Sequence, residues 1–117
     1  MAETKVSMEV RSPEAGISIV DIRGDLTGTS EDVLMAAYEE ASKDRAKSII
    51  LNFTDLDYMN SSGIGLLVTM LIRTQRKKQA LLAYGLSEHY RQIFDLTRLN
   101  EAIGIYADEA AARAAAN

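Results

Sequence analysis

A chain of 117 residues fits a single domain, spanning 1–117, with room for one real core. Its formal charge of −4 weighs against a general nucleic-acid binder, which carries a basic face, and the absence of cysteine excludes disulfides and thiolate metal sites. No apolar run approaches the length of a membrane span, and Met1 to Lys5 lacks an apolar signal core, so the expectation is a cytoplasmic protein without membrane insertion.

Val6, Met8 and Val10 alternate with Ser7 and Glu9, the period of a half-buried strand. Ser12 to Gly16 supplies turn residues, and Ile17 to Ile22 reads as a second strand, so the chain opens on a β-hairpin. Gly24 to Ser30 breaks the pattern. Ser30 followed by Glu31 and Asp32 is a helix start with acids placed well for the dipole. Val33, Leu34, Ala37, Tyr38 and Ala41 then recur at helical spacing. Lys47 to Phe53, apolar at nearly every position, reads as a central strand.

Asp57-Tyr58-Met59-Asn60-Ser61-Ser62-Gly63 follows, and a helical pattern runs from Ser62 to about Lys78. Two adjacent hydroxyls therefore sit where a helix begins. Asn60 or Ser61 is placed to cap it, and the free N–H groups there favour an anion, such as a phosphate carried on Ser61 or Ser62. Ordinary capping and turn chemistry explains the same residues, and on the local pattern alone it is the favoured reading. At about 100° per residue, Ile64, Leu67, Val68, Leu71 and Ile72 share one face and are expected to pack on the sheet. Leu66 and Met70 are expected to point away from it, as a partner-binding edge or as scattered exposed apolars.

Gln79 to Tyr84 reads as a fourth strand, ended by Gly85. Ser87 is expected to cap a helix with Tyr90, Ile93, Phe94 and Leu96 inward, and His89, the only histidine, on its surface. Ala102 to Tyr106 reads as a short fifth strand, and Asp108 caps an alanine-rich helix over 109–116. The expected class is α/β: a mixed sheet of four to five strands, an N-terminal antiparallel hairpin and about four helices.

The stretch Thr54-Asp55-Leu56-Asp57-Tyr58-Met59-Asn60-Ser61-Ser62-Gly63-Ile64-Gly65-Leu66-Leu67 resembles the signature of STAS domains of the bacterial anti-sigma factor antagonist type. Ile22-Arg23-Gly24-Asp25-Leu26-Thr27 is similar to the family's element at the end of the second strand, and Leu86 to Leu96 to its third helix. Asn60 stands where the family usually has aspartate, Thr27 where it has a second acid, and Arg98 where glycine is common. The resemblance implies an anti-anti-sigma factor that binds an anti-sigma factor with a kinase-type ATP-binding fold. It implies phosphorylation at Ser61, with Ser62 the second choice, and a serine phosphatase that resets the switch. With Leu66 and Met70 expected off the core face, the expected partner surface comprises Asp25, Leu26, Thr27, Asn60, Ser62, Gly63, Leu66 and Met70. No cofactor is implied.

An accessory STAS role, in a stress-signalling assembly or a lipid-transport complex, is the alternative. A serine-nucleophile enzyme is disfavoured: there is no glycine-serine-glycine elbow, no phosphate loop, and the lone His89 has no evident orienting partner.

Overall fold

The computed structural model describes residues 6–116. Its elements in chain order are β1 (Val6–Glu14), β2 (Ile17–Leu26), α1 (Glu31–Ala41), β3 (Ser48–Asn52), β4 (Leu56–Met59), α2 (Ser61–Arg76), β5 (Ala80–Tyr84), α3 (Glu88–Leu96), β6 (Gly104–Tyr106) and α4 (Glu109–Ala116). The β-hairpin is antiparallel, with Val10 opposite Val20, and the remaining strands pair in parallel in the order β1-β2-β3-β5-β6.

The sheet has six strands, one more than the upper expectation. The added strand, β4, continues the line of β3 along β2. β3 pairs with the first half of β2, Ile17 to Asp21, and β4 with its end, Gly24 to Leu26. Between them the chain leaves the sheet in a turn held by Asn52, whose Oδ1 accepts from the Thr54 N–H at 3.0 Å and the Thr54 hydroxyl at 2.6 Å.

Alternation along the strands divides the apolar residues between two faces. Val20, Ile22, Ile49, Leu51, Leu81 and Ala83 point towards α1, α2 and α3 and form the main core with Leu34, Tyr38, Leu67, Met70 and Phe94. Ile17, Ile19, Ile50, Leu82 and Tyr84 point the other way, under Ala112 of α4. Short alanine side chains let α4 lie close but bury little, and polar contacts add to its hold. Arg11 forks onto Asp21 (2.8 and 2.9 Å) and reaches Glu109 at 3.2 Å, where the Tyr84 hydroxyl also donates. Burial opposes ionisation of Asp21, yet the Arg11 fork and the Asn52 amide, 2.8 Å away, keep its carboxyl below the usual range.

Caps follow the local chemistry. Ser87 Oγ accepts from the Tyr90 N–H, and Asp108 Oδ1 from the Ala111 N–H at 2.9 Å. Phe94 is buried as expected, whereas Leu96 is 84% exposed, because two residues on it lies about 200° round the helix, on the opposite face. Arg98 follows with φ of +61°, a left-handed conformation that glycine adopts without strain.

Candidate functional site

Pairing between β2 and β4 assembles the site. It sets Asp25 beside Tyr58 and Leu26 beside Met59, so the turn after β2 and the start of α2 meet although more than thirty residues separate them. The Asn60 N–H donates to the Leu26 carbonyl at 3.3 Å. Asn60 itself is extended (φ −97°, ψ −178°), and its Oδ1 accepts from the Gly63 N–H at 2.8 Å, so Asn60 rather than Ser61 caps α2. The Ile64 N–H bonds the Asn60 carbonyl, which leaves the N–H groups of Ser61 and Ser62 as the first-turn donors without a helical partner.

Ser61 is the first residue of α2 and is exposed, and among the described residues its hydroxyl has no hydrogen-bond partner. Ser62 is also exposed but turns towards Gly28, where an added Cβ would sit 3.3 Å from that of Ser62. The 25–30 turn is held by its own bonds: the Thr27 N–H donates to Ser30 Oγ at 3.0 Å, and Ser30 Oγ donates to the Asp25 carbonyl at 3.3 Å. Opposite, the Met59 N–H donates to the Tyr90 hydroxyl at 2.8 Å, so α3 clamps β4. Both sides of Ser61 are therefore rigid while the hydroxyl is free. Among the described residues no group of three or more His, Cys, Asp or Glu is placed to hold a metal ion. None of the described helices is long and apolar enough to cross a membrane.

The sequence model of the STAS domain matches residues 8–112. The chain belongs to the STAS domain family. It is similar to an anti-sigma-B factor antagonist of Listeria monocytogenes, at 21% identity over 86% of this chain and 88% of that one. Among solved structures it resembles an anti-sigma factor antagonist from Mycobacterium paratuberculosis, with a TM-score of 0.80 at 16% identity over 95% and 93% of the two chains. It also resembles the Bacillus cell fate determinant SpoIIAA in its phosphorylated form, with a TM-score of 0.71 at 20% identity over 93% and 99%.

Within this STAS domain, several residues expected at the partner surface lie elsewhere. Met70 is fully buried and Leu66 is 9% exposed; with Gly63, Leu67 and Thr74 they form the core face of α2. Leu66 and Met70 are thus core residues, not an outward edge. Gly63 decides the rotation: its Cα packs against the Leu26 carbonyl, where a Cβ would clash, so the Gly63 side of the helix must face β2. Thr74 is tolerated inside because its hydroxyl donates to the Leu71 carbonyl at 2.7 Å. Leu26 is fully buried as well, and only its carbonyl serves the site. Asp25, Thr27, Asn60 and Ser62 remain accessible.

Of the five residues expected on the core face, Leu67 is buried, Ile64 and Leu71 are half-buried against the core, and two are exposed. Val68 is 37% and Ile72 44% exposed. With Ser61 and Gly65 they recur at intervals of four, three and four, one stripe on the side of α2 away from the sheet at about 100° per residue. A helical wheel centred on Ser61 contains that signal. Tyr58 of β4, 50% exposed, is the other large side chain missed beside the site.

Proposed function

We propose that this STAS domain is an anti-anti-sigma factor: unphosphorylated, it binds an anti-sigma factor with a kinase-type ATP-binding fold and so releases a sigma factor. The carrying observation is the free, exposed Ser61 hydroxyl at the end of the apolar stripe through Gly65, Val68 and Ile72. Asp25, Thr27, Asn60 and Ser62 flank it. Phosphorylation of Ser61 by the partner adds about −1.5 to −2 charges at neutral pH. Within an interface those charges must be desolvated, and a penalty of roughly 3 kcal/mol weakens binding about a hundredfold. Inside the domain the dipole of α2 and the free N–H groups of its first turn offset part of the cost, so the fold survives modification. A serine phosphatase restores the binding state.

The same site supports binding rather than catalysis, because neither serine hydroxyl is hydrogen-bonded to a base among the described residues, and a serine nucleophile needs one. The test is incubation with a candidate kinase-type anti-sigma factor and ATP, followed by mass-spectrometric mapping. Phosphate on Ser61 with loss of the complex is expected. Absence of phosphate from both serines would overturn the reading.

A further inference from the structure

The end of α2 opposite Ser61, about 24 Å away along a 16-residue helix, carries a second surface. α1 and α2 both finish there, and their turns lead into β3 and β5, which lie side by side. The first turn holds Lys43, Arg45 and Lys47; the last turn of α2 and the residues after it hold Arg73, Arg76, Lys77 and Lys78. These are seven of the 13 basic residues of a chain whose net charge is −4. All seven are exposed; Asp44 lies in the first of these turns, and Glu39 and Glu40 stand in the last turn of α1. Among the described residues none of the seven forms an ion pair; the arginines that do, Arg11, Arg23 and Arg113, lie elsewhere.

Complementing the negative ends of two helix dipoles accounts for a base or two at each terminus. It does not account for the backbone. Three of the four non-glycine residues with positive φ are here: Asp44 at +59°, Arg45 at +58° and Lys78 at +58°. Glycine takes such positions without strain, yet at two of them the chain holds a long cationic side chain. The two turns are also bolted together. Gln79 accepts from the Tyr38 hydroxyl at 2.7 Å and donates to the Ala46 carbonyl at 3.0 Å. Between them lies a groove of about 510 Å³ lined by Arg45, Lys47, Lys77 and Lys78.

We propose that this groove binds an acidic protein segment, an extended stretch rich in aspartate or glutamate, independently of the Ser61 surface. Exposed cations without ion-pair partners, carried on two turns tied to each other, suit discrete carboxylates at intervals along a chain. Single-stranded nucleic acid is disfavoured because it is gripped by aromatic platforms, and the one ring at the groove, that of Tyr38, is 1% exposed beneath Lys77. A membrane surface is disfavoured because the groove offers no exposed aromatic or apolar anchor among its lining residues.

The experiment titrates the full chain with decaglutamate, with a ten-nucleotide oligouridylate and with phosphatidylserine vesicles, by calorimetry at two salt concentrations. Saturable one-to-one binding of decaglutamate, weakened by salt, is expected. The double variant Arg45→Gly/Lys78→Gly removes two charges while keeping, and easing, the left-handed backbone. It should bind about tenfold more weakly, since each exposed pair contributes modestly, with an unchanged or raised melting temperature. Ser61→Ala should bind decaglutamate as the parent does, which separates this surface from the switch. Undiminished affinity in the double variant, tighter binding of the RNA or the vesicles, a loss in Ser61→Ala, or a signal traced to salt-sensitive self-association would overturn the proposal.

Discussion

Two stripes of α2 should answer oppositely to substitution. Val68 and Ile72 retain 37% and 44% of their exposure. Fully burying a valine or isoleucine contributes about 1.5–3 kcal/mol, so covering the remaining two-fifths contributes about 1 kcal/mol each, a factor of about five in affinity. Aspartate at either position loses that and buries a carboxylate in the interface, so Val68→Asp or Ile72→Asp should weaken partner binding about a hundredfold, a loss of about 3 kcal/mol. Stability should fall by only about 1–2 kcal/mol, the contribution of the three-fifths of each side chain that the domain already covers. Met70→Ala should do the reverse. It empties a fully buried site and should cost about 2–5 kcal/mol of folding stability, leaving the affinity of the remaining folded protein near the parent value. The assay pairs calorimetry against the anti-sigma partner with urea unfolding of each variant. A large stability loss in Ile72→Asp, or unchanged affinity in both aspartate variants, would refute the assignment of faces.

The remaining predictions concern the switch, the helix contact and pH. Ser61→Ala should bind the partner and accept no phosphate, with almost no change in melting temperature because Asn60 makes the cap; Ser61→Asp should bind more weakly, and Ser62→Ala should still be labelled. Phosphate mapped to Ser62 would show that the wrong hydroxyl was chosen. Asn60→Asp keeps a capping oxygen and adds the charge common in the family, so comparing its labelling rate with that of the parent measures what the missing charge does to kinase recognition; an unchanged rate would make the charge irrelevant. Gly63→Ala should lose about 1–3 kcal/mol through the clash with the Leu26 carbonyl, whereas Gly65→Ala, whose Cβ meets nothing within 4 Å, should gain about 0.5–1 kcal/mol in thermal unfolding; the same sign for both would discard the contact. Asp21 has a folded-state pKa below its unfolded value, so its pairing with Arg11 stabilises the fold above the ordinary carboxylate range near about 4 and is lost as pH falls through the depressed value. Melting temperature should therefore fall less steeply below about pH 4 in Asp21→Asn than in the parent, and parallel curves would exclude the linkage.

Much of this was legible in the sequence where the physics is local. Alternation gave the first hairpin strand, the turn residues and the apolar stretch after them the second, and an unbroken apolar run gave β3, because a strand buried on both faces has no polar side to show. Ser87 and Asp108 were recognisable as caps because a cap bond spans three residues. β4 was not recognisable: Leu-Asp-Tyr-Met exposes its two central residues and is a strand only because the end of β2 has a free edge there. The rotation of α2 was out of reach for a related reason. Its Leu66–Met70 and Val68–Ile72 stripes are similarly apolar, and the choice between them rests on a backbone contact with Leu26, far away in sequence.

The same nonlocality shapes the candidate sites. Ser61 was visible because a hydroxyl pair at a helix start is a local pattern, but its placement beside the turn that carries Asp25 and Thr27 depends on β2 meeting β4. The basic groove is the stronger case. In the sequence its cations form two short runs, each an ordinary helix end, separated by the whole of the segment 48–72. Only the parallel pairing of β3 with β5 sets them side by side, since it brings the preceding helices to a common end of the sheet. One helix thus carries an anion-receptive N-terminus at Ser61 and a cationic C-terminus at Lys77 and Lys78, with a core stripe between them that touches neither. Charge added at Ser61 lies more than two Debye lengths from the groove at physiological salt, about 24 Å against about 8 Å. A phosphate on Ser61 should therefore leave the groove's field almost unchanged, and a partner held at the cationic end would stay attached while the anti-sigma factor is released.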